Sequence, residues 1–111
     1  MFVDTQEALV EVVNHLSEDR VKEIAIDLEA HATRSYQGFT CLMQISTRFK
    51  DFLVDVIVLR KHIGGCLRPV FDDPEKVKVL HGSDMDIIWL QRDFGLYIVN
   101  MFDTGQAARV L

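Results

Sequence analysis

"IAIDLEAHATRSYQGFTCLMQIST", residues 24–47, opens as an apolar strand and runs directly into two carboxylates, Asp27 and Glu29. Side chains alternate faces along a strand, so positions two apart point the same way. Like charges that close repel, and partial burial adds to the cost unless a cation compensates. No Lys or Arg lies between Ile24 and Thr33. The pair therefore either faces open water or holds a metal. A metal needs hard oxygen ligands converging from several elements, so a second acidic source is required.

Working outward, "VKEIAIDL" (21–28) reads as a strand, and "FTCLMQIST" (39–47) and "DFLVDVIVL" (51–59) as two more, the polar "RFK" suiting a hairpin turn. Before them, "TQEALVEVVNHLS" (5–17) places Ala8, Leu9, Val12, Val13 and Leu16 on one helical stripe, with Thr5 as N-cap and Glu7 in the first turn. After them, "LRKHIGGCLRPVF" (59–71) suggests a short helix broken by Gly64 and Gly65. "VKVLH" (77–81) is a strand, "SDMDIIWLQRDFG" (83–95) a helix with Gly95 at its C-cap, "YIVNMFD" (97–103) a last strand, and "TGQAARVL" (104–111) the opening of a further helix. The order α-β-β-β-α-β-α-β-α predicts an α/β domain: a mixed sheet, three strands in meander and then β-α units, flanked by helices. Sites in such sheets gather at strand ends, where Asp27, Glu29, His81 and Asp103 fall.

The chain has 111 residues, enough for one domain and one core. An apolar content of 49% with 26% charged residues is ordinary for a globular protein and argues against a disordered chain. The net charge of −5 provides no basic footprint for nucleic acid or anionic lipid, which counts somewhat against a nucleic-acid role. Cys41 and Cys66 lack metal-ligand spacing and read as reduced thiols of an intracellular protein. Asp4 and Glu7 interrupt any signal peptide, and no stretch approaches a membrane span, so no membrane partner is expected.

Asp84 and Asp86 offer the second acidic source, just beyond a strand. Ser83-x-x-Asp86 is nearly a capping box, Asp84 is itself a good N-cap, and both charges favour the helix dipole, so capping is the stronger reading. One residue can hardly serve as both cap and ligand, which leaves at least one of the two free. His81 offers a ligand or base but at a strand end is by default bonded to nearby backbone; Trp89 reads as core, with stacking on a nucleotide base as the lesser alternative; Arg34, Arg48 and Lys50 could reach phosphates but read by default as surface cations.

"AIDLEAHATRSYQGFTCLMQIST" and "VKVLHGSDMDIIWLQRDFGLYIVNMFDTGQAARVL", with the spacing between them, closely resemble the RNase D branch of the DEDD 3′–5′ exonucleases, nearest to the catalytic subunit of the eukaryotic nuclear exosome. The resemblance covers nearly the whole chain. It implies an RNase H-like fold and hydrolysis of RNA from the 3′ end to nucleoside monophosphates, with two Mg²⁺ ions (or Mn²⁺ in their place) about 4 Å apart. By position, Asp27 and Glu29 match the family's D-x-E motif. The second-motif aspartate aligns with Asp86, leaving Asp84 as the cap. Asp27 would bridge both metals, with Glu29 and Asp86 completing the set. Gln44, Trp89 and His81 would line the substrate groove. The implied partners are single-stranded RNA 3′ ends and the nuclear exosome core with its cofactors, in the nucleus and nucleolus.

One departure matters. The family's third motif, Y-x-x-x-D, supplies a fourth carboxylate and a water-orienting tyrosine, yet neither Tyr36 nor Tyr97 has an Asp four residues on. Residues 1–111 therefore read as the N-terminal and central part of an exonuclease domain truncated at its C-terminus, without the third motif or a C-terminal helical module, and inactive alone. The rival readings are an incomplete RNA-binding or scaffold module of the same fold, and a phosphorylation-type receiver domain. The β-meander argues against the receiver.

Overall fold

The computed structural model describes residues 1–29, 42–80, 91 and 94–103. Six strands and two helices run in the order β1 (Phe2–Val3), α1 (Gln6–Leu16), β2 (Glu23–Glu29), β3 (Leu42–Ser46), β4 (Asp51–Asp55), α2 (Arg60–Phe71), β5 (Val77–Leu80) and β6 (Met101–Asp103). The strands form one mixed sheet in the order β1-β4-β3-β2-β5-β6. β3 is antiparallel to both β2 and β4, whereas β2, β5 and β6 run parallel. The C-terminal ends of those three strands therefore share one end of the sheet.

β2 shows why one face carries the core. Ile24, Ile26 and Leu28 are buried while Ala25 and Asp27 are exposed, the period-two alternation of a half-covered strand. Met43, Ile45, Phe52 and Val54 extend that buried face across the sheet, against Leu9, Val12 and Leu16 of α1 and Ile63, Leu67, Val70 and Phe71 of α2. The predicted α1 stripe holds, with Ala8 and Val13 half-buried at its margin. Thr5 caps it as expected, its Oγ1 accepting the Ala8 N–H at 3.1 Å. The "RFK" hairpin also holds, with Thr47 N–H donating to the Lys50 carbonyl at 2.9 Å. Gly95 closes a helical turn at φ +63°, its N–H donating to the Gln91 carbonyl at 3.0 Å.

Four expectations need correction. A two-residue strand, β1, precedes the first helix and pairs parallel with β4, too short to show any periodicity. The strand expected over 51–59 stops at Asp55, because the Asp55 carboxylate accepts the N–H groups of Ile57 and Val58 at 3.1 Å and turns the chain. α2 is continuous through Gly64, Gly65 and even Pro69, which falls in its last turn. The final strand covers residues 101–103 rather than 97–103, since Asn100 sits at φ 62° and cannot continue a strand backward. Cys66 is a half-buried free thiol; Cys41 lies outside the described residues. No described helix is long and apolar enough to cross a membrane.

Two lysines are buried at the N-terminal foot of β5. Lys76 Nζ donates to the carbonyls of Glu18 and Val21 at 2.9 and 2.7 Å, holding the α1–β2 connection. Lys78, without exposed surface, donates to the carbonyls of Asp73 and Val99. Desolvation lowers the Lys78 pKa, against the opposing pull of the Asp73 and Asp72 charges.

Candidate active site

The face of the sheet opposite the helices is open among the described residues, and Asp27 lies on it. Gln44 of β3 pairs directly with Asp27, and Leu53 and Phe2 continue that row outward. The next row reads Asp51, Ser46, Ala25, Val79 and Phe102. Directly paired side chains on one face lie about 5 Å apart, so the Gln44 amide and the Asp27 carboxylate are immediate neighbours. Together with Ala25, Ser46 and Val79 they line a recess of about 390 Å³. Ala25 has nothing beyond Cβ, which leaves the floor of the recess low.

The register also brings the strand ends together. Ala25 pairs with Val79 and Leu80 with Asp103, so the chain leaves β5, one residue before His81, alongside the Ile26–Asp27 end of β2. Glu29 closes β2, paired with Leu42. Asp27 is exposed, and among the described residues none of the ion pairs includes it. The cation missing from the sequence around Asp27 is therefore not supplied by another described element. Carboxylate oxygen on an accessible strand end is the donor type that a hard metal ion takes. By themselves the described residues contain no group of three or more ligands able to hold one. The side chains of Glu29 and Asp103, and His81, Asp84, Asp86 and Trp89 entirely, lie outside them.

Of the sequence candidates, then, the structure brings Asp27 and Gln44 together. Arg48 is an exposed surface cation, paired with Glu23 at 3.3 Å; Arg34 lies outside the described residues. Ser46 and Ala25 line the recess as well, and neither is among the sequence candidates. Their signal was present: each lies two residues from a candidate on the same strand.

The whole chain, residues 1–111, matches the family model described as 3′-5′ exonuclease. The chain belongs to that exonuclease family. Among curated relatives, Protein RRP6-like 2 of Arabidopsis thaliana is 59% identical over 110 residues, covering 99% of this chain and 12% of the relative. The exosome complex exonuclease RRP6 of Saccharomyces cerevisiae is 51% identical over 111 residues, covering 100% of this chain and 15% of the relative. The crystal structure of the catalytic core of RRP6 from Trypanosoma brucei superposes with a TM-score of 0.84 at 56% identity, over 93% of this chain and 28% of that one. Trypanosoma brucei RNase D, solved in complex with RNA U12, superposes with a TM-score of 0.80 at 26% identity, over 93% of this chain and 36% of that one. The exonuclease domain described here thus spans a small part of the length of its relatives. The expected α/β architecture and RNase D-like fold are those observed, and the receiver-domain rival is excluded.

Proposed function

We propose that this domain is the catalytic part of an exosome-associated ribonuclease that removes nucleotides from the 3′ ends of single-stranded RNA, working in the nucleus and nucleolus. The observation that carries the reading is Asp27. It is an exposed carboxylate at the end of a core strand, uncompensated by any described cation, beside a recess, in a chain of 3′-5′ exonuclease family. The relatives' names supply the exosome, and the RNase D complex supplies RNA as the substrate class.

In this reading Asp27, Glu29 and Asp86 hold two Mg²⁺ ions. Bound there, the ions would supply charge neutralisation at the scissile phosphate and a lowered pKa for a water. The chain's own contribution is placement. β2 fixes the Asp27 backbone, which pairs with Gln44 of β3 two residues beyond the last β2–β5 pair, Ala25 with Val79. Gln44 presents an amide able to donate to a substrate oxygen. His81 and Trp89 complete the contacts to the terminal nucleotide.

The test is Asp27→Asn in the full-length protein, assayed on 3′-labelled single-stranded RNA with Mg²⁺ titration. Trimming should fall by about 100-fold or more, at least the upper end of what perturbing a group that merely orients a ligand costs. The melting temperature should hold or rise, because a carboxylate repulsion is removed. Near-normal Mg²⁺-dependent trimming by this variant would overturn the reading.

A further inference from the structure

Beyond β4 the chain winds helically from Asp55. The Asp55 carboxylate accepts the N–H groups of Ile57 and Val58 at 3.1 Å, Leu59 N–H donates to the Asp55 carbonyl at 3.2 Å, and Ile63 N–H donates to the Leu59 carbonyl at 3.1 Å. The turn thus leads straight into α2. Its inner side is ordinary, with Val56, Leu59 and Ile63 in the core. Its outer side is not. Ile57 is 40% and Val58 62% exposed, and one turn further on stand the exposed cations Arg60 and Lys61. Residues three and four apart on a helical winding are neighbours, so each of the two aliphatic side chains lies beside a cation.

Two adjacent aliphatic side chains left in water add nothing to the core. Lys61, in the first turn of α2, opposes the helix dipole, and that turn holds no acid to offset it. The N–H groups of Arg60, His62 and Ile63 are already taken by the carbonyls of Ile57 and Leu59, so the side chains, and not the helix end, present the charge. The location gives this surface a use. β3 is antiparallel to both β2 and β4, so β4 finishes at the same end of the sheet as β2. Leu42 pairs with Asp55 on one side and with Glu29 on the other, which puts Asp55 in one row with Glu29, two strand spacings or about 10 Å away.

We infer that the outer side of residues 57–61 is a docking surface for the single-stranded RNA substrate upstream of its 3′ end, with Lys61 meeting a phosphate and Ile57 and Val58 the face of a base. In a chain of net charge −5, a polyanion is held where positive charge is locally concentrated. Phosphate contacts position a strand without reading it, and an aliphatic side chain packs against any base, so the surface suits removal of successive nucleotides whatever their sequence.

The inference deepens the proposed ribonuclease reading and rests on it. Its test measures KM for a long 3′-labelled single-stranded RNA as monovalent salt is varied, using the full-length protein as wild type, Lys61→Gln, Val58→Ser, Lys22→Gln and Asp27→Asn. Lys61→Gln should reduce the slope of log KM against log salt by about 0.7 and raise KM about fivefold at about 0.1 M salt, the share of one single-strand phosphate contact. Val58→Ser should raise KM several-fold at unchanged slope, because it removes apolar contact and no charge. Lys22, exposed at the opposite end of β2, carries the control: Lys22→Gln makes the same change of net charge and should keep the wild-type KM and slope. On a dinucleotide, too short to reach residues 57–61 from Asp27, Lys61→Gln and wild type should share one KM. A wild-type slope in Lys61→Gln, a wild-type KM in Val58→Ser, an equal loss in Lys22→Gln, or a Lys61 effect that persists on the dinucleotide overturns the inference. Asp27→Asn separates the failures. If it is inactive while the inference fails, only the docking surface falls; if it trims normally, the ribonuclease reading falls and the inference with it.

Discussion

A Cβ on Gly64 would collide with the Phe94 carbonyl oxygen, whereas a Cβ on Gly65, one residue along the same helix, would meet nothing within 4 Å. The two substitutions should therefore have opposite signs. Gly64→Ala forces backbone away from backbone and should destabilise the domain by about 1–3 kcal/mol, the usual range for overpacking. Gly65→Ala should stabilise it by about 0.5–1 kcal/mol through helix propensity alone. Chemical denaturation of both variants checks this, and equal effects would mean the close approach is not real. The sequence shows two adjacent glycines and reads them as a break. For Gly64 the cause is a backbone contact thirty residues away, which no local pattern records. Asp27 was legible for the contrary reason: strand parity and the local lack of cations are both short-range facts.

Elements end where a side chain captures the backbone, and such captures are harder to read than hydrophobic periodicity. The aliphatic run after Asp55 would suit a strand, but the Asp55 carboxylate holds two N–H groups and Ile57 and Val58 turn outward into solvent. His15 does similar work between elements. Buried at the end of α1, it donates from Nδ1 to Glu18 Oε2 at 2.6 Å, and its Nε2 meets Thr47 Oγ1 of the β3–β4 turn at 2.9 Å. Arg20 pairs with Glu18 and lies 4.2 Å over the Phe49 ring. Desolvation raises the Glu18 pKa, but the His15 hydrogen bond and the Arg20 charge outweigh it and leave the carboxyl below its ordinary value. A carboxylate whose folded pKa is depressed contributes stability that is fully present above its unfolded value and lost as pH falls through the folded one. Glu18→Gln should accordingly be less stable than wild type at neutral pH, and the two should converge in acid below that folded pKa. Thermal melts across the acid range decide it; a gap that persists at low pH would assign the effect to packing instead.

At the scale of the whole molecule, the face that carries Asp27 also carries Leu53, Phe2 and Phe102, all exposed among the described residues. The helix-covered face, by contrast, is a continuous core. Mg²⁺ dehydrates reluctantly and demands near-ideal geometry, so a site built from three carboxylates binds it more weakly than one built from four. Among residues 1–111 neither tyrosine is followed four positions on by an acid. A polypeptide of these residues alone should therefore trim RNA negligibly, bind at most one Mg²⁺ weakly, and associate through the apolar part of its open face. In the proposed reading, a polypeptide that also carries a Y-x-x-x-D helix should trim RNA and bind Mg²⁺ more tightly together, because that helix would add a fourth carboxylate and a water-orienting tyrosine to the site. Paired assays on 3′-labelled RNA, with a Mg²⁺ titration and a measurement of oligomeric state on each polypeptide, test this coupling. Robust stepwise trimming by residues 1–111, in a preparation free of other nucleases, would show that three carboxylates suffice.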